Sequence, residues 1–201
     1  MSALLQLSRL IDRLNEFIGR WVSWLVLAAV LISAVNAVVR KVLNTSSNAY
    51  LEIQWYLFAA VFLLAAGYTM LRQEHVKIDV ILGRFSKPTQ IKVECFGIVA
   101  FLFPFVITVI WMVLPLVITA FQSGEMSSNA GGLIRWPVYA LVPIGFALLG
   151  IQGVSELIKR IAFLQGKAPD PTQKAQAKTA EQELAEFLAK QQQEQTTGGR
   201  A

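Results

Sequence analysis

Four stretches without a single charged residue divide this sequence, and each is long enough to cross a lipid bilayer. Positions 21–39 and 53–71 each hold 19 uncharged residues, 95–121 holds 27, and 136–155 holds 20. At 1.5 Å per residue, 19 helical residues reach about 28 Å, close to the ~30 Å hydrocarbon core. In lipid the backbone must satisfy its own hydrogen bonds, so these stretches are predicted to be helices. Of the 201 residues, 55% are hydrophobic and 15% charged, against about 25% charged in a soluble domain. The expected fold class is an all-α membrane protein with four transmembrane helices. A membrane domain over 1–165 is followed by a polar, Gln-rich tail over 166–201, disordered or holding one short helix.

Orientation follows from the basic residues. Fifteen of the 18 Lys and Arg fall in the N-terminal segment, the 72–94 loop and the stretch from Lys159 onward. Cytoplasmic loops collect Lys and Arg, so both termini are expected in the cytoplasm. The net charge of +5 is flanking charge of this kind, and no nucleic-acid partner is expected. Cleavage of the first span as a signal peptide, at Val35-Asn36-Ala37, is disfavoured. Its apolar run exceeds the 7–15 residues of a signal core, and twenty residues precede it.

Outside the spans, Leu4, Leu7, Leu10, Ile11, Leu14, Phe17 and Ile18 recur at helical spacing among charges. They predict an amphipathic helix over 4–18 that lies in the interface or packs on a partner. A similar interfacial stretch runs from Val76 to Phe85 and should break at Lys87-Pro88 before the third span. In the tail, Thr179 and Gln182 form a possible capping box for a helix through Lys190.

Much chemistry is excluded at once. Cys95 and His75 are single, which leaves no intrachain disulfide, no bis-histidine haem and no cysteine- or histidine-built zinc centre. No cofactor is expected, and the chain does not read as an enzyme. Charged residues deep in a bilayer are expensive and stand out when functional, yet every Asp, Glu, Lys and Arg falls at a span end or beyond. Pro104, Pro115 and Pro143 read as ordinary membrane-helix prolines, and Pro137 as a helix starter. Ala29, Ser33 and Ala37 repeat every four residues with Asn36 on the same face, a pattern suited to close helix packing in lipid. Trp55, with Trp21, Trp24, Tyr50, Tyr56 and Trp136, sits toward a span end as an aromatic belt does. The 122–135 loop reads as small and flexible, open to a soluble outer partner. Arg40 closes the first span and Glu52 opens the second, so the two are either an ion pair or separately solvated. Glu156 with Lys159 and Arg160 reads as an ordinary surface helix pair.

The stretch from 40 to 80 then carries more information. It holds Arg40, Glu52, the small cluster Ala65-Ala66-Gly67, and the run His75-Val76-Lys77-Ile78-Asp79. In that order and spacing they resemble the small, four-helix Q-type subunit of tripartite ATP-independent periplasmic (TRAP) transporters. Glu52-Ile53-Gln54 departs from many members, which carry a second acidic or apolar residue beside the Glu. The long tail has no counterpart in the resemblance.

The resemblance implies a division of labour in a bacterial inner membrane. A periplasmic binding protein captures a small organic anion, and a large membrane subunit carries the substrate and sodium sites. The small subunit braces the large one, within membrane lipids. His75 and Asp79 would organise the cytoplasmic edge of the second span. The expected function is therefore that of a small permease subunit scaffolding a sodium-coupled carboxylate carrier. The alternatives are an independent small transporter or channel, or a membrane anchor of a redox complex.

Overall fold

A computed structural model describes residues 2–43, 47–73, 82 and 84–171 of the chain. The order is α1 (Ser2–Leu43), α2 (Asn48–Leu71), α3 (Lys87–Gly97), a π turn (Ile98–Leu102), α4 (Phe103–Ser123) and α5 (Trp136–Leu164). Among the described residues four helical rods, with α3, the π turn and α4 counted as one, are long and apolar enough to span a membrane.

Local chemistry explains the boundaries. Ser86 caps α3 in an extended conformation, and Pro88 occupies its first turn, where a missing N–H costs nothing. Pro137 does the same for α5. Inside the third rod, Pro104 cannot donate to the carbonyl four residues earlier, and its ring collides with it. The helix answers by widening into the π turn just ahead of that proline. Gly124 ends α4 in the left-handed region at φ 62°, which only glycine enters without strain.

The helix α5 is the hub. The helices α1 and α2 pack on it and on each other, while the α3–α4 rod packs mainly on α5. A Cβ at Gly145 would sit 2.6 Å from the Leu63 carbonyl oxygen, so α2 and α5 approach backbone to backbone. Edge-to-face ring pairs, Phe105 with Phe146 at 5.5 Å and Phe121 with Trp136 at 5.3 Å, join α4 to α5. Buried apolar residues are few among the described ones, and Ala29, Ala60, Ala120 and Ala162 are among them. Large ones such as Phe62 and Trp111 face outward, as lipid permits.

One expectation changes here. The amphipathic segment over 4–18 is not a separate interfacial helix, because α1 runs unbroken through all 42 residues, about 63 Å. Its polar side turns inward: Ser8 and Asn15 are buried while Leu10 and Phe17 are exposed. The helix of the third rod begins at Lys87, eight residues ahead of its charge-free stretch. The stretch 76–81 and the tail helix lie outside the described residues.

Candidate functional site: polar ties at both ends of the bundle

At the end of the bundle where α1 begins, two polar stripes face each other. Ser8, Asp12 and Asn15 recur at helical spacing on α1, and Gln152, Ser155, Glu156, Lys159 and Arg160 do so on α5. The Ser155 hydroxyl donates to Asp12 Oδ1 at 2.7 Å, leaving its oxygen to accept from Ser8, also at 2.7 Å. Asn15 Nδ2 donates to Gln152 Oε1 at 2.9 Å, and Gln152 Nε2 donates to Asp12 at 2.9 Å. Lys159 bridges Asp12 at 3.3 Å and pairs with Glu156. Arg160 pairs with Glu156 and reaches across to Glu94 of α3 at 2.8 Å. Three rods are thereby tied by one network.

Glu156 and Arg160 are 1% and 5% exposed, which corrects the reading of them as a surface pair. The reason is α1: its polar stripe covers that face of α5. A buried charge is tolerable only when paired and hydrogen-bonded, and each one here has at least two partners. Beside the network, Glu16 accepts from Arg20 at 3.1 Å and from Arg72 at 2.8 Å, joining α1 to the end of α2.

At the opposite end, Glu52 organises the 122–135 loop. Its carboxylate accepts from the Ser127 hydroxyl, from Asn129 Nδ2 at 2.8 Å and from the Leu133 amide at 2.6 Å. Asn48 Nδ2 holds the Ala130 carbonyl at 3.0 Å, and the Tyr56 hydroxyl holds that of Ile134 at 2.9 Å. Within the loop, Ser127 N–H donates to the Leu133 carbonyl and Arg135 N–H to that of Glu125, both at 2.9 Å. Tyr139, then Glu125, hold the Arg135 guanidinium above its ordinary pKa. The loop is therefore an ordered hairpin latched onto α2, not the flexible segment its Gly and Ser content predicts.

The sequence-selected residues distribute unevenly. Glu52 is buried, but Arg40 is exposed and makes no ion pair among the described residues. The ion-pair alternative is excluded because all of Glu52's bonding goes to the hairpin. Ala29 and Asn36 are buried, Ser33 is half-buried, and Ala37 is exposed, so the small stripe packs inward only in part. Asn36 borders a groove of about 240 Å³ with Val35, Val39 and Tyr50. Trp55 is exposed beside a cleft of about 170 Å³ above Glu52. Gly67 is buried, and a Cβ there would overlap the Asn15 carboxamide. His75 and Asp79 lie outside the described residues. Ser8, Asn15, Gln152 and the Glu94–Arg160 pair went unselected, although polar residues three and four apart on both facing segments were the available signal.

Among the described residues no group of three His, Cys, Asp or Glu is placed to hold a metal ion. Four apolar rods, with side-chain hydrogen bonds and ion pairs joining helices near both ends of the bundle, define a multi-pass membrane protein. The family model for the DctQ component of tripartite ATP-independent periplasmic transporters matches residues 29–163. The chain belongs to this family, whose members are transporter components and not enzymes. No curated protein and no solved structure matches the chain.

Proposed function

We propose that the chain is the small permease subunit that braces a large, sodium-coupled membrane subunit taking up small organic anions of the carboxylate type. A periplasmic binding protein delivers the solute, and both termini face the cytoplasm of a bacterial inner membrane. The observation that carries this reading is the use made of charge. Asp12, Glu156, Lys159, Arg160 and Glu94 close on one another, and Glu52 closes on its own hairpin. Such ties give a rigid strut, which is what a fixed scaffold needs while its partner moves. The Lys and Arg census supports the orientation, and the family match supports the partners.

The test is purification from native membranes through a tag on this chain. A 1:1 complex with one large polytopic protein is expected, with carboxylate uptake only when that protein and the binding protein are both present. Solute flux by this chain reconstituted alone would overturn the reading.

A further inference from the structure

The helix α1 carries an outward apolar face that the described residues leave uncovered and that continues past the membrane. Leu7, Leu10, Leu14, Phe17, Trp21 and Trp24 alternate at spacings of three and four, and all are exposed, Phe17 and Trp24 by 62% and 64%. For Trp21 and Trp24 lipid is sufficient cover. It is not sufficient for the first four, because Arg9, Arg13, Glu16 and Arg20 lie among them. Charged side chains hold that stretch outside the hydrocarbon core, where an apolar stripe facing water is unfavourable.

Nor can the segment roll over to bury this face in the bilayer surface. Its opposite side is pinned to α5 through Ser8–Ser155, Asn15–Gln152 and Asp12–Lys159, and the helix has no break before Leu43. The stripe is thus held outward by the polar tie itself. Phe17 and Trp21 are already stacked edge to face at 6.1 Å, so little side-chain freedom remains to be lost on docking.

We propose that this face seats a helix of the large membrane subunit, one that runs from the bilayer interior into the cytoplasmic space. The inference rests on the function proposed above. Spacing of three and four is what a helix packing alongside with interlocked side chains requires. Its register continues unbroken across the membrane boundary, which suits a polytopic partner better than a soluble protein. Arg13 and Arg20 lie seven residues apart at the flank of the stripe, both exposed. In paired helices such flanking positions meet the partner's charges, so the seated helix carries acidic residues there. In a parallel pair with a second copy of this chain, Arg13 and Arg20 would meet Ile18 and Leu25 rather than acidic residues, which argues against self-pairing.

The test uses the chain co-expressed with the large subunit of its own transporter. A photo-crosslinking amino acid replaces Leu10, Phe17 or Trp24 in turn, with Ile107, Trp111 and Met112 on the exposed side of α4 as controls. Crosslinks to the large subunit from the three α1 positions, and their loss at the α4 positions, are expected. The charge reversals Arg13→Glu and Arg20→Glu together should lower recovery of the large subunit about tenfold, with helix content unchanged. An intact complex that crosslinks through α4, through a second copy of this chain, or not at all from α1 overturns this proposal and leaves the scaffold reading standing. If the unmodified chain recovers no large subunit, the scaffold reading itself has failed.

Discussion

The Asn15 carboxamide of α1 lies directly against the bare α-carbon of Gly67 on α2, with no room between them for a methyl group. Asn15 Oδ1 is buried and has no hydrogen-bond partner, while its amide nitrogen is used by Gln152 of α5 at 2.9 Å. Three helices therefore meet where one side chain is absent. In Gly67→Ala the added carbon must push Asn15 away from Gln152. Overpacking of this kind costs about 1–3 kcal/mol. The expected result is a lower unfolding midpoint in detergent, and an additional Asn15→Ala change should recover part of the loss.

Glu156 serves Lys159 and Arg160 together. Removing its carboxylate leaves Arg160 buried with only Glu94, and breaking a buried pair from one side costs about 3 kcal/mol or more. Glu156→Ala is expected to destabilise the chain by that order in equilibrium unfolding from mixed micelles. Glu16→Ala, which breaks exposed bridges to Arg20 and Arg72, should cost at most about 1 kcal/mol. Equal losses from the two variants would contradict the burial argument.

The Glu52 latch makes a prediction about accessibility. Glu52→Ala leaves the Leu133 amide and the Ser127 and Asn129 side chains without their common acceptor. The hairpin should then open to protease faster by about tenfold, the scale of a lost charge-assisted hydrogen bond. Glu52→Gln, which keeps one acceptor oxygen, should fall between the two.

Arg40 provides the contrast. It is exposed and takes no part in the Glu52 latch, so Arg40→Glu should change the stability of this chain by no more than about 0.5 kcal/mol. The double variant with Glu52→Arg should be no more stable than Glu52→Arg alone. Rescue by the double swap would show that the two residues interact after all.

Truncation after Pro171 retains the hydrogen bond that its carbonyl accepts from Gln73 at 2.6 Å. Residues 172–201 are few in apolar side chains, and their removal should leave both recovery of the complex and solute uptake unchanged. Loss of uptake with normal membrane insertion would give the tail a role.

The rods were legible because their ends are written in single residues. Charges bound each apolar run, and Pro88 and Pro137 mark helix starts by the same missing amide that stops a helix elsewhere. Glu52 stood out as a charge at a span edge. Its partners did not, since Ser127, Asn129 and Leu133 lie more than seventy residues away. The shorter distance in sequence favoured Arg40 and misled. The α1–α5 tie was hidden differently. Within 4–18 the apolar residues predict a face that lies in the interface or packs on a partner, whereas the side turned to the polar α5 carries Ser8, Asp12 and Asn15. In a membrane protein an amphipathic pattern says that a helix has two faces, and the neighbouring helix decides which is inside.

The π turn over Ile98–Leu102 gives the third rod an adjustable phase. A π turn holds one residue more than the surrounding α-helix, and one residue is about 100° of rotation. Below the turn, Glu94 is aimed at Arg160. Above it, Val106 is aimed at Gly150 and Phe105 at Phe146. A single inserted residue thus lets one rod present two differently phased faces to α5. Deleting one residue from the turn would swing Glu94 off its arginine, so the polar tie among α1, α3 and α5 depends on the length of this turn as well as on side-chain identity.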